Sequence, residues 1–238
     1  MFSFTRALFA GALLSALPLA AAPFTLSTGS SLTMNFDGFY SASKTTIPGL
    51  SGQVILSNFN ISNTMFAGQT ATIVTLDYTV KNTSVSPNLT SRITNFAINT
   101  TPNILTTAPN SVSGIFDTVS YGANQPNGVG AVELCWATQG CPGGGGGGVD
   151  IGASSSGSAT IYFAGNFSSF DIDSAYLRYQ SVTCSSGSPC NASASGSLVN
   201  TTFTSSTPPS GIPEPSSFGL LSLGLAGFAV WFRKSRRS

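Results

Sequence analysis

Alternation of apolar and polar residues is the feature that most constrains the fold of this 238-residue chain. In residues 72–80, apolar side chains recur at every second position: Val74, Leu76, Tyr78 and Val80. Residues 32–36 repeat the pattern with Leu32, Met34 and Phe36. A period of two is typical of a β-strand with one face buried and the other in solvent. The sequence therefore predicts half-buried strands.

Further segments rich in β-branched and aromatic residues predict more strands, and Pro, Gly and Asn separate them. The segments are 53–61, 92–99, 112–121, 131–136, 160–167, 175–182 and 198–203, with turn signals at 47–49, 86–88, 108–110 and 125–128. Roughly nine short strands without sustained helical periodicity indicate an all-β body, an antiparallel β-sandwich or jelly-roll-like domain. A closed barrel is the alternative, because periodicity does not separate the two.

The N-terminal segment has the anatomy of a secretory signal peptide. Arg6 precedes the apolar run 7–19, and the small residues of 20–22 follow it. The competing interpretation, an N-terminal membrane anchor, is disfavoured because the run is shorter than the roughly 20 apolar residues that a span requires. We therefore predict a signal peptide at 1–22, a body at 23–204 and a Ser/Thr/Pro linker at 205–211.

Charged residues make up only 7 % of the chain, far below the roughly 25 % of ordinary soluble domains. The surface of the body must therefore consist largely of Ser, Thr, Asn and Gly. Its basic residues are few and scattered along the sequence: Lys44, Lys81, Arg92 and Arg178. Nucleic-acid binding needs clustered positive charge, so we expect no nucleic-acid partner.

The chain contains no histidine. Histidine is the side chain whose unperturbed pKa lies near neutrality, and most general-base, catalytic-triad and zinc chemistry depends on it. No Gly-x-Ser-x-Gly nucleophile motif is found either. We therefore expect no enzymatic activity, no cofactor and no metal.

The four cysteines form two close pairs, Cys135 with Cys141 and Cys184 with Cys190. Export to an oxidising compartment makes disulfides the expected state. Of the three possible connectivities, we favour the two local loops because their short separation and turn residues make closure easy. A four-cysteine zinc site is the rival, but its ligand pairs usually have two to four intervening residues.

Three other patterns have a functional and a structural interpretation. Six glycines at 143–148 lack the lysine and helix of a phosphate loop and predict a flexible loop tip. Asp171 and Asp173, with Asp150, are candidates for calcium binding, but a polar turn is the preferred interpretation. Several aromatic residues are candidates for a sugar-stacking platform, although core positions are commoner: Trp136, Tyr162, Phe163, Phe167, Phe170, Tyr176 and Tyr179.

The C-terminal segment 212–238 combines three features in a fixed order. Pro213, Glu214 and Pro215 form a rigid knuckle, and the apolar run 218–232 follows it. As a helix this run would be roughly 22 Å long, short of the roughly 30 Å hydrocarbon core. A basic cluster ends the chain: Arg233, Lys234, Arg236 and Arg237.

Together these features resemble the PEP-CTERM sorting signal of Gram-negative envelope proteins. The resemblance implies passage through the inner membrane, recognition and cleavage near Pro213 to Pro215 by an exosortase, and delivery to the cell surface or the extracellular polysaccharide matrix. A permanently anchored single-span protein is the alternative. The motif gives a destination and leaves the role of the body open.

Segments of the body, 132–136, 175–184 and the glycine run, look like the cistern family of PEP-CTERM proteins. That resemblance implies no known catalytic activity. We thus expect a structural protein of the envelope or biofilm matrix. A carbohydrate-binding module that acts on exopolysaccharide is the competing function.

Overall fold

The computed structural model describes residues 23–40, 45–85, 90–126, 128–142, 146–183, 193–196 and 198–204. These residues form thirteen β-strands, and no helix occurs among them. The strands are β1 (Phe24–Ser27), β2 (Ser31–Tyr40), β3 (Thr45–Phe66), β4 (Gln69–Asn82), β5 (Thr90–Thr101), β6 (Ser111–Ser113), β7 (Thr118–Gln125), β8 (Gly130–Ala137), β9 (Val149–Asp150), β10 (Ser154–Ala164), β11 (Ser169–Thr183), β12 (Ser193–Gly196) and β13 (Leu198–Thr204). The predicted all-β class is confirmed.

All thirteen strands belong to one antiparallel sheet that nearly closes into a barrel. Its main path runs β6, β10, β4, β3, β2, β12, β11, β5, β8 and β7. β1 pairs with β11, β13 with β2, and β9 with β5. The two ends of the path, β6 and β7, follow each other in the chain. This arrangement lies closer to the barrel alternative than to two separate sandwich sheets, because β12 hydrogen-bonds to both β2 and β11 and joins the two halves.

A long hairpin of β3 and β4 supplies much of the sheet. Its turn is formed by Ala67 and Gly68, with φ angles of 49° and 79°. Positive φ at both central residues is typical of the type I′ turn, whose twist matches that of the strands.

The turn signal at 47–49 was a wrong prediction, since these residues lie inside β3. The register shifts between Asp37 and Phe39 of β2, and the extra residues of β3 form a bulge there.

One hydrophobic core fills the interior, and inward positions of every long strand contribute to it. At one end Tyr78 stacks on Phe116, with ring centroids 5.4 Å apart, and also contacts Trp136 at 5.7 Å. At the other end Phe170 packs against Phe163, with centroids 5.2 Å apart. The alternation in residues 72–80 therefore corresponds to its predicted role, because Val74, Leu76, Tyr78 and Val80 are all buried.

Candidate functional site

The centre of β5 is buried on both of its faces. Ile93 and Phe96 belong to the interior core, yet Thr94, Asn95 and Ala97 are also almost inaccessible to solvent. The register places Asn95 opposite Arg178 of β11 but Ile93 opposite the next residue, so Thr94 is an extra residue in a β-bulge. Since Ile93 and Phe96 both face the interior, Thr94 and Asn95 lie on the outer face.

Two segments cover this outer face. Cys135 and Cys141 are joined by a disulfide, as their spacing predicted. Beyond it, the carbonyl of Pro142 accepts a hydrogen bond of 3.3 Å from the Asn95 amide. On the other side, the Ser195 hydroxyl donates to the carbonyl of Pro126, at 3.0 Å. The sheet surface around the bulge therefore lies under the disulfide segment and the turn between β7 and β8.

The hairpin of β7 and β8 bends back over the sheet to make this cover. Cys135 pairs with Ser120, whereas Gln125 lies at the hairpin tip opposite Gly130. Nevertheless the Gln125 amide donates to the Cys135 sulfur at 3.3 Å. A straight hairpin would hold these two side chains far apart. A second small apolar cluster forms under the bend: Ala97, Val132, Cys135 and Ala137, with Ala123, Val129, Cys141 and Tyr176 packed against them.

Six buried polar residues gather beneath this cover, and we call them the outer polar cluster. They are Thr94, Asn95, Gln125, Thr138, Arg178 and Ser195, none of them more than 9 % exposed. Asn95, Arg178 and Ser195 occupy one cross-strand row, because Arg178 pairs with both of the others. The hydroxyl and backbone N–H of Thr138 both donate to the Thr94 carbonyl.

Arg178 is the charged member of the outer polar cluster. Burial lowers the pKa of its guanidinium, because desolvation disfavours the charged form. In the part of the chain that the structure describes, its Nε and Nη1 have no hydrogen-bond partner, and neither has the Thr94 hydroxyl. The sequence alone shows Arg178 as one of several scattered cations. Its flanking residues Asn95 and Ser195 are hydrogen-bonded to segments that are distant in sequence.

The end of the glycine run helps to cover the outer polar cluster. A Cβ on Gly148 would lie 2.5 Å from the Ile93 carbonyl oxygen, and its φ of 117° also disfavours any side chain. A Cβ on Gly147 would lie 3.7 Å from Thr138. Directly afterwards, β9 pairs with β5. Of the described end of the run, Gly148 therefore lies close to β5, whereas a Cβ on Gly146 would meet nothing within 4 Å, and the flexible loop tip stays a prediction.

The three aspartates considered for calcium are not brought together. Asp150 forms an ion pair with Arg92, at 3.1 Å. Asp173 accepts a hydrogen bond of 2.8 Å from Thr101. Asp171 and Asp173 lie within β11 instead of in the expected turn, and a register shift follows Ile172. No group of three metal-ligating side chains occurs within the described ranges.

Most of the aromatic residues considered for sugar stacking belong to the core. Buried rings are those of Trp136, Phe163, Phe170 and Tyr179. Half-buried Tyr162 meets Phe66 at an interplanar angle of 53°, and half-buried Phe167 meets Phe163 at 77°. A stacking platform needs coplanar exposed rings, and neither of these pairs has that geometry.

Several predicted segments and sites lie outside the described residues. These are the signal peptide at 1–22, the linker at 205–211, the sorting motif Pro213, Glu214 and Pro215, the basic residues Arg233, Lys234, Arg236 and Arg237, and the second cysteine pair Cys184 and Cys190. A search of the described residues finds no helix long and apolar enough to cross a membrane.

Comparison with known proteins identifies the C-terminal segment. The family model of the PEP-CTERM protein-sorting motif matches residues 211–234. The chain carries a PEP-CTERM sorting motif. The match includes the Pro213 to Pro215 knuckle, the apolar run and the first two basic residues, and it indicates exosortase-dependent sorting to the cell envelope.

The comparisons add nothing about the body. No curated protein and no solved structure matches the chain. The resemblance of the body to the cistern family therefore stays a prediction.

Proposed function

We propose that this chain is an exported, non-enzymatic structural protein of the bacterial surface or extracellular matrix, released from its PEP-CTERM tail by an exosortase. The match at residues 211–234 carries this proposal, since the motif marks proteins for sorting to the envelope. The last strand of the body, β13, ends at Thr204, a few residues before the motif begins. A folded domain followed by a separate C-terminal sorting signal fits this proposal.

The chemistry of the C-terminal segment fits a membrane-retention signal that is removed by cleavage. The prolines at 213 and 215 each fix a φ angle and remove a backbone donor, so we expect Glu214 on an extended segment that a protease can engage. The apolar run is short for a stable span. The terminal basic cluster favours the cytoplasmic side of the inner membrane. The segment would therefore hold the chain in the membrane until it is cut.

A structural role for the body is supported by how its carboxylates are used. Both oxygens of Glu133 accept hydrogen bonds from the chain around Thr100 and Ile104. Asp150 is paired with Arg92, and Asp173 with Thr101. Such groups serve the fold. With no histidine in the sequence, the body offers poor general-base chemistry.

Replacement of the motif tests the sorting proposal. In a host with an exosortase, changing Pro213, Glu214 and Pro215 to alanine should leave the chain at full length in the inner membrane. The matched control changes Pro208 and Pro209 to alanine, which removes two linker prolines but leaves the motif intact. Fractionation and intact mass report the outcome. Normal release of the motif variant would refute the proposal.

The extracellular matrix is the destination that we propose, with exopolysaccharide as the neighbour of the released body. The purified released form should co-sediment with the matrix of its own host. Specific retention on an isolated glycan would instead support the competing carbohydrate-binding function. Recovery of the released form only from the culture medium, with no matrix association, would count against both.

A further inference from the structure

The guanidinium of Arg178 is a buried positive charge that the rest of the described chain does not balance. The residue is 9 % exposed, and three of its five N–H donors, on Nε and Nη1, lack an acceptor. Isolated buried charges are strongly unfavourable, so proteins pair them with an opposite charge. Within the described ranges the single ion pair is the one between Arg92 and Asp150, and Arg178 takes no part in it.

The Glu133 carboxylate and the two side chains that flank Arg178 have other partners. Glu133 lies on the same outer face two residues before Cys135, but hydrogen bonds from Thr100 and Ile104 occupy both of its oxygens. Asn95 and Ser195, which flank Arg178 in the cross-strand row, use their side chains to donate to the Pro142 and Pro126 carbonyls. Neither flanking residue supplies negative charge.

A second buried group at the same bulge also lacks a partner. The Thr94 hydroxyl is inaccessible to solvent and has no hydrogen-bond partner among the described residues. Thr94 is the extra residue of the bulge opposite Arg178, on the same face of the sheet. A buried hydroxyl without a partner is destabilising, and native folds rarely leave one. The guanidinium lacks acceptors, and the hydroxyl can donate to the same acceptor.

We propose that the outer polar cluster binds a small carboxylate anion, held by the Arg178 guanidinium and the Thr94 hydroxyl. A carboxylate neutralises the charge, and its two oxygens offer about four acceptor sites. Guanidinium and carboxylate are also well matched in shape and form strong charge-assisted hydrogen bonds. The occupant must be small because the disulfide segment and the hairpin turn enclose the cluster.

Thermal unfolding of the full chain in mild detergent tests the proposal, with the chain produced by export so that its cysteines oxidise. Sodium formate is the probe, and sodium chloride at equal ionic strength is the comparison. Formate should raise the unfolding midpoint by about 5 to 10 °C at a hundredfold excess over its Kd, and the rise should follow the logarithm of the formate concentration above Kd. The line width of isotope-labelled formate in NMR reports binding directly.

Substitutions assign the effect to the site. Arg178→Met removes the charge at similar length, so it should abolish the formate response and should not lower the midpoint in formate-free buffer. Thr94→Val should weaken formate binding several-fold while keeping the fold. This second variant still tests the site if the Arg178→Met chain cannot be produced in folded form. Arg92→Met is the matched control and should respond to formate like the unchanged chain.

The proposal is overturned by any of three results. The first is no rise of the midpoint with formate and no line broadening in the unchanged chain. The second is an equal response in the Arg178→Met variant. The third is an equal response to chloride, which would show that carboxylate chemistry is not recognised.

Discussion

Of two buried tyrosines in the same core, one has a hydrogen-bonded hydroxyl and the other has a hydroxyl without a described partner. The Tyr78 hydroxyl donates to the Ser113 carbonyl at 2.8 Å and accepts from the backbone N–H of Phe116 at 3.2 Å. The Tyr179 hydroxyl is equally buried but has no partner in the described part of the chain. Removing a paired hydroxyl leaves its partners unsatisfied, whereas removing an unpaired one relieves a desolvation cost.

Replacing each tyrosine by phenylalanine should therefore give opposite results. Tyr78→Phe should lower the free energy of unfolding by about 1 to 3 kcal/mol, since it removes the partner of the Ser113 carbonyl and of the buried Phe116 N–H. Tyr179→Phe should leave it unchanged or raise it. Each variant is the control for the other in urea unfolding. A larger loss for Tyr179→Phe than for Tyr78→Phe would contradict the assigned hydrogen bonds.

The same residues predict the behaviour of the fold at high pH. Burial is the main cause that raises the pKa of Tyr78 and of Tyr179 above the ordinary value of 10.0. A raised pKa means that stability is fully present below pH 10 and declines as the pH rises above it, because the unfolded chain loses its protons first.

Ultraviolet absorbance of tyrosinate, followed together with circular dichroism, checks this expectation. Of the six tyrosines, Tyr78 and Tyr179 should ionise only as the fold is lost. Ionisation of all six near pH 10 with the circular dichroism unchanged would show that these two hydroxyls are accessible.

At the scale of elements, Glu133 connects β8 to the chain that leaves β5. Its Oε2 accepts from the Thr100 N–H at 3.0 Å and from the Thr100 hydroxyl at 2.8 Å. Its Oε1 accepts from the backbone N–H of Ile104. One carboxylate thus satisfies three donors beyond Ile98, where the pairing of β5 with β8 ends.

Glu133→Gln should destabilise the fold by about 1 to 3 kcal/mol. The amide replaces one charged acceptor oxygen with an N–H₂ donor that would face another donor. Asp173→Asn is the matched control, because exposed Asp173 accepts a single bond from Thr101 and the amide oxygen can replace it. Urea unfolding measures both changes, and equal effects of the two substitutions would refute the special role of Glu133.

At the scale of the whole molecule, the C-terminal strands of the body complete the sheet. β12 joins β2 to β11, and β13 covers the remaining length of β2, with Leu198 packed against the core. Without them the two halves of the sheet would lose their direct connection on that side. The body is therefore expected to need its chain as far as the end of β13.

Truncation tests this expectation. A chain that ends at residue 210 should have the same urea midpoint as the full chain, since it retains every described strand. A chain that ends at residue 197 lacks β13 and should lose roughly 2 to 5 kcal/mol, because the β2 hydrogen bonds to it are lost. Equal stability of the two truncated chains would show that β13 is dispensable.

Sequence reasoning predicted strands better than it predicted their arrangement. Residues 72–80 lie in β4 as expected, and the 125–128 signal begins at the last residue of β7 and ends before β8. The short strands β1, β9 and β12 were not predicted, because they carry too few residues for a period to be seen. The bulges at 47–49 and at Thr94 were also missed, since a bulge depends on what the neighbouring strand does.

The sequence by itself determined the all-β class, the Cys135 to Cys141 pairing and the sorting motif at 211–234, because local spacing and composition encode all three. Tertiary structure decided that the strands form one nearly closed sheet, since pairing between distant strands has no local signal. It also decided the environment of Arg178. Segments far away in the sequence bury that side chain, and burial turns an ordinary cation into one that requires a partner.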